Sequence, residues 1–143
     1  MGRNQIQGMK ELEKSIKKLG KLPQTCVTKA ARKGANIALK DARKNAPIDQ
    51  GNLKKGIVLK GEKTKIKGKK VYQATLDPKM NNIFVKMNKA GKRSYYPASQ
   101  EYGFTINGKY TPGFNYLKNS IENNSKSIEK EIVSVLGKEI DKL

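Results

Sequence analysis

The sequence predicts an α+β fold, an antiparallel β-sheet packed against two N-terminal helices and a long C-terminal helix, and three observations predict it. Apolar residues recur at three- and four-residue steps near both ends of the chain. The middle carries short β-branched and aromatic runs separated by Gly, Asn, Asp and Pro. The two classes are segregated rather than alternating, which favours helices laid on one face of a sheet over parallel βαβ units. At 143 residues the chain has the size of one domain with one core, here expected to span 1–143.

The first helix is expected over about 7–20, where Met9, Leu12, Ile16 and Leu19 share a face surrounded by lysines, and it should stop near Gly20. Pro23 suits the first turn of a second helix, and Asn45-Ala46-Pro47 ends it near residue 45, because the residue before a proline avoids helical geometry. Within this helix Val27, Ala31, Gly34, Ala38 and Ala42 form a narrow stripe of small residues that lets another element approach closely, with Lys29, Arg32, Lys33, Lys40, Arg43 and Lys44 on the other side.

The sheet is expected over about 56–111. Ile57-Val58-Leu59 begins a strand, Val71 to Leu76 alternates as its partner, and the basic, glycine-punctuated run Gly61 to Lys70 between them reads as a long, mobile hairpin tip. Asp77-Pro78 turns the chain, and Ile83-Phe84-Val85 is a further short strand. Asn107-Gly108 is the pair that a tight hairpin turn prefers. Leu117, Ile121, Ile128, Ile132, Val135, Leu136 and Ile140 then keep a helical period, placing the last helix at about 115–142.

Charge and missing residue types narrow the function. Thirty-one Lys and Arg against twelve Asp and Glu give a formal charge of +19, which repels itself in the compact state and attracts polyanions or acidic protein surfaces. There is no histidine, the side chain most used for acid–base chemistry near neutral pH. Cys26 is the single cysteine, so an internal disulfide and a Cys/His zinc site are excluded, and on a helix face it reads as a buried inert thiol. Gly51, Gly56, Gly61 and Gly68 are too far apart for a phosphate loop, and no Gly-Lys-Ser/Thr follows them. No apolar run reaches membrane-spanning length and Met1 to Lys18 holds no signal-type apolar region, so neither secretion nor membrane insertion is expected.

Most acidic residues fall on expected exposed helix faces beside lysines, where i,i+4 pairing accounts for them. Asp49, Asp77 and Glu101 could form a metal nuclease site only if the fold gathered them. No catalytic residue, metal or cofactor is therefore expected. The loop holding Lys63, Lys65, Lys67, Lys69 and Lys70 against the single acid Glu62, with Lys89, Lys92 and Arg93 further on, is the candidate contact for an acidic partner or DNA. Aromatic residues are absent from that loop and cluster instead as Tyr95, Tyr96, Tyr102, Phe104, Tyr110, Phe114 and Tyr116. A stacking platform for bases is thereby disfavoured. That cluster is either an interface patch or core, and core is the expectation for Tyr102 and Phe114.

The segment Asn45-Ala46-Pro47-Ile48-Asp49-Gln50-Gly51-Asn52-Leu53 resembles the Asn/Lys-Ala-Pro-Val-Asp-Thr-Gly-x-Leu segment of the gene-product-ten-like tail components of long-tailed phages. The likeness extends to the opening Gly8-Met9-Lys10-Glu11-Leu12 and to Tyr96–Gly103, similar to the family's Tyr-x-x-x-x-Glu-Phe/Tyr-Gly. Gln50 in place of Thr is a departure. Thr111 to Leu117 keeps only part of the proline-rich run that opens the family's last helix. Physically the segment is a corner: Pro47 stops a helix, Asp49 can bond nearby backbone N–H groups, Gly51 can take positive φ, and Asn52 can cap the turn containing Leu53. Pro47, Asp49, Gly51, Leu53, Glu101, Tyr102 and Gly103 are thus expected to be structural.

The resemblance implies a neck or tail-completion protein that joins tail to head during assembly. Its implied partners are the tail terminator and the head-closure ring. It implies a homo-oligomeric ring in the virion, from a subunit that can be monomeric alone, with nonspecific contact to phage DNA, no membrane, and a host-cytoplasm stage during assembly. Two rival readings are a nonspecific nucleic-acid-binding basic protein, which the charge supports, and a small nuclease, which the missing histidine opposes.

Overall fold

The computed structural model of the chain describes residues 3–48, 51–87 and 89–142, and the side chains of these except for residues 3–8, Ile16 and Lys18. The architecture is α+β, as expected, and is dominated by α1 (Arg3–Asn45), one continuous helix of 43 residues. The break anticipated between Gly20 and Pro23 does not occur. A proline inside a helix frees the carbonyl four residues back and costs about 3 kcal/mol. Here that carbonyl belongs to Leu19, which is 62% exposed, so water can reach it.

The C-terminal half of α1 is the platform for everything else. Cys26, Ala30, Gly34, Ala38, Ala42 and Ala46 are buried, a ridge of small residues at steps of four. The expected stripe is therefore displaced: Gly34, Ala38 and Ala42 belong to it, whereas Val27 and Ala31 are half-buried on its flank. Onto this ridge pack α5 (Tyr116–Glu122) and α6 (Ser125–Asp141). A Cβ on Gly34 would lie 2.7 Å from Ile132 Cγ1 of α6; the missing side chain is what lets the helices come this close. The Lys29 amino group meets the Glu139 carboxylate at 2.5 Å, which raises the lysine pKa and, with Lys142, lowers that of Glu139. The helix expected over 115–142 is thus interrupted at Asn123-Asn124, residues whose side chains favour helix ends over interiors.

Among the described residues the antiparallel strands form three separate ribbons rather than one sheet: β1 (Ile57–Gly61) with β2 (Tyr72–Leu76), β3 (Val85–Met87) with β4 (Arg93–Tyr95), and β5 (Gly103–Ile106) with β6 (Lys109–Pro112). The first pair lies against α1, and Arg43 secures it by donating from Nε (3.0 Å) and Nη2 (2.8 Å) to the Ile57 carbonyl. Asn107 and Gly108 turn the third ribbon with φ of 50° and 75°, the paired positive values that the Asn-Gly motif predicts.

Short helices join the ribbons where the sequence patterns as strand. The Ile83-Phe84-Val85 run is half helix, since α3 (Asn81–Phe84) precedes the strand. Tyr96 to Tyr102 forms α4, with a proline in its first turn. A single-turn α2 (Asn52–Gly56) links α1 to β1. The core is centred on Ala42, Ala46, Leu53, Ile57 and Tyr116, flanked by Leu39, Leu76, Tyr96 and Leu117. No helix among the described residues is long and apolar enough to cross a membrane.

Candidate functional site

The corner after α1 is built for packing. Ala46 N–H still donates to the Ala42 carbonyl at 2.9 Å, Pro47 ends the helix, and Gly51 sits at φ 76°, as a left-handed turn requires. Leu53, 2% exposed, then drops into the core. Asp49 lies outside the described residues. Asn52 does not cap: it is the first residue of α2, the capping position is Gly51, and no side chain bonds there. The Gly51 carbonyl instead accepts from Lys55 N–H at 3.2 Å.

A second constellation joins α4 to α5 across the root of the β5–β6 hairpin. Glu101, 4% exposed, receives the Leu117 N–H on Oε2 at 2.8 Å and the Lys118 N–H on Oε1 at 3.0 Å. Helix starts leave N–H groups without partners and carry positive partial charge. A carboxylate brought from another part of the chain therefore satisfies both demands of α5. The Gln100 and Glu101 carbonyls accept from Phe114 N–H (2.7 Å) and Asn115 N–H (3.1 Å). Tyr116, fully buried, donates its hydroxyl to the Pro97 carbonyl at 3.0 Å. Burial, then the Glu101 charge, pushes its pKa well above the usual phenol value.

Two glycines make this latch sterically feasible. Gly103 sits at φ 93°, and a Cβ there would fall 2.4 Å from the Thr111 carbonyl oxygen. A Cβ on Gly113 would fall 2.3 Å from the Glu101 carbonyl oxygen. The expected motif residues Glu101 and Gly103 thus meet in one structural unit, and Tyr102 contributes its carbonyl, which accepts from the Tyr110 hydroxyl at 2.8 Å. Its side chain is not core: Tyr102 is 73% and Phe114 58% exposed, contrary to expectation. With Phe104, Ile106 and Tyr110 also exposed, the hairpin presents an uncovered apolar surface. The sequence pattern cannot reveal this, because local alternation does not say whether another layer covers either face of a two-stranded ribbon.

The lysine-rich loop between β1 and β2 has a seat rather than a free tip. Gln24 of α1 accepts the Gly68 N–H at 2.8 Å and donates to the Lys69 carbonyl at 3.1 Å. Inside the loop Thr64 Oγ1 accepts the Ile66 N–H at 3.1 Å, and the Lys70 ammonium donates to the Glu62 carbonyl at 3.1 Å while lying 5.2 Å over the Tyr72 ring. Lys63, Lys65, Lys67 and Lys70 line a concavity with Gln24, Thr28 and Thr64. Lys69 is exposed beside it. Lys89, Lys92 and Arg93 sit elsewhere, on the β3–β4 hairpin and its turn. Three ion pairs join described residues, engaging Lys29, Lys118 and Lys142 and none of the loop lysines.

The carboxylates considered for metal chemistry have other work. Glu101 caps α5, and Asp77 accepts the Lys79 N–H at 3.0 Å at the start of the 3-10 turn Pro78–Met80. Among the described residues no three Cys, Asp or Glu side chains lie close enough together to hold a metal ion. Cys26 is buried and unpaired.

Residues 10–93 match the family described as "Bacteriophage HK97-gp10, putative tail-component". The chain belongs to the HK97-gp10-like phage tail-component family. The matched span contains the Pro47–Leu53 corner and the lysine loop, and it ends before the Glu101 latch and the C-terminal helices. Neither curated proteins nor solved structures supply a match. Gln24 and Gly113 are residues that sequence reasoning did not single out. Tyr116 was one of the aromatic cluster, and it is the member that lies in the core.

Proposed function

We propose that this family member is a non-catalytic neck or tail-completion component that joins the tail to the head during virion assembly. On this reading it works as one subunit of a homo-oligomeric ring seated between the tail terminator and the head-closure ring. The observation that carries the reading is the β5–β6 hairpin, whose Phe104, Ile106 and Tyr110, with Tyr102 and Phe114 at its base, stay exposed. Phe104 and Ile106 share one face of the ribbon and Tyr110, paired with Thr105, lies on the other; exposed apolar side chains on both faces are a cost to a lone subunit and an asset to an assembled one.

The N-terminal half of α1 supports it. Met9, Leu12 and Leu19 are each at least 60% exposed, and with Ile16 they keep the three-four spacing of a helix seam that seeks another helix. Two different uncovered surfaces on one subunit suit head-to-tail contacts, which close into rings.

Ile106→Asp tests the reading. The position is 61% exposed, so the variant should unfold within about 0.5 kcal/mol of the parent. Supplied to cells infected with phage lacking the functional gene, it should restore few joined particles. Restoration at the parental level would contradict the proposed role of the hairpin.

A further inference from the structure

We propose that the concavity formed by the β1–β2 loop is a phosphate seat for duplex nucleic acid, reading the backbone and not the bases. Three features of the loop point there. First, Lys63, Lys65, Lys67 and Lys70 surround one depression, a cation density suited to successive phosphates. The one acidic side chain on the rim, Glu62, is turned to the Gln73 amide.

Second, the seat is organised before anything binds. The Gln24 amide grips the loop at Gly68 and Lys69 with one donor and one acceptor, and Gly68 turns at φ 77°. Binding therefore does not have to order the loop. Thr28 and Thr64 each use their hydroxyl oxygen as an acceptor, from Gln24 and from Ile66 N–H respectively. Their own O–H groups are left to donate to an anion, as phosphate contacts in nucleic-acid complexes commonly do.

Third, the lining selects among polyanions. Ile66 is the single apolar residue lining the depression. An acidic protein partner would need a buried aromatic or aliphatic anchor to hold it, and this depression provides no pocket of that kind. Stacking on bases would need an exposed aromatic face, and Tyr72, the nearby ring, lies under Lys70. What remains is charge and hydroxyl contact to a phosphate chain, independent of sequence.

The test measures binding of the full chain to a short fluorescent duplex across a salt series. Replacing Lys63, Lys65, Lys67 and Lys70 together by Gln should reduce the slope of log K against log salt by about 3 to 4, from roughly 0.9 per phosphate neutralised. Replacing Lys10, Lys14, Lys17 and Lys21 on α1 by Gln removes the same charge and should change the slope by less than about one. Gln24→Ala, which removes no charge, should weaken binding several-fold with the slope kept. Equal slope losses in the two quadruple variants would overturn the proposal, because binding would then follow net charge wherever it sits. So would polyglutamate displacing the duplex from the parent protein at equal charge concentration, which would make the seat an acidic-protein site. Either failure leaves the assembly role standing, since that rests on the hairpin and is read from particle joining.

Discussion

Replacing Gly113 by alanine is expected to lower the unfolding free energy by about 3 kcal/mol or more, a large share of the 5–15 kcal/mol typical of a domain. The new Cβ would lie 2.3 Å from the Glu101 carbonyl oxygen and 2.5 Å from the Gly103 nitrogen. These are backbone atoms on the opposite side of the hairpin root, so no rotamer change relieves the overlap. Relief requires β5 and β6 to separate, which breaks the hydrogen bonds from Phe114 and Asn115 to the Gln100 and Glu101 carbonyls. Gly137 supplies the contrast. It lies within α6, and a Cβ there meets nothing within 4 Å, so Gly137→Ala should stabilise by about 0.4–1 kcal/mol through helix propensity and a less flexible unfolded chain. Thermal melts of the two variants should therefore shift in opposite directions, by roughly −10 °C and +2 °C for a chain of this length. A Gly113→Ala protein melting with the parent would mean that the hairpin root is looser than described.

Removing the Glu101 carboxylate should rank second. Glu101→Ala leaves the Leu117 and Lys118 N–H groups without their acceptors and opens a gap beside Tyr116, costing about 3 kcal/mol from a lost cap, two charge-assisted hydrogen bonds and a buried void. Glu101→Gln is informative because it keeps the shape. An amide offers one acceptor and one donor where the carboxylate offers two acceptors, so one of the two N–H groups must face an NH2 group. The expected cost is about 1.5–2 kcal/mol. Denaturant melts should give the order parent, Gln, Ala. Hydrogen exchange should show faster exchange at Leu117 and Lys118 in both variants, before any change in α1. If Gln matched the parent, the charge would have no part in holding α5.

What was legible in the sequence was what local chemistry controls. The Asn107-Gly108 turn, the end of α1 before Pro47 and the positive φ of Gly51 all follow from residues adjacent in the chain. What was not legible depends on partners distant in sequence. Pro23 reads as a helix start until the surroundings of Leu19 are known. Glu101 reads as an ordinary acid until α5 is placed over it. Gln24 has no local signature at all, because its role depends on a loop that arrives 44 residues later. The aromatic cluster misled for a related reason: alternation marks a strand but does not say whether anything lies on the other side. Tyr102 ends α4 and Phe114 follows β6, and both flank a ribbon that is not a layer of the core, which leaves them exposed.

The proposed joining of tail to head is best read from particle counts by electron microscopy. Lysates of the phage carrying an early stop codon in this gene should contain DNA-filled heads and full-length tails in separate populations. Adding the purified protein should convert them to joined particles. Joined particles without the protein would contradict the claim, and so would heads that never fill or tails that never form.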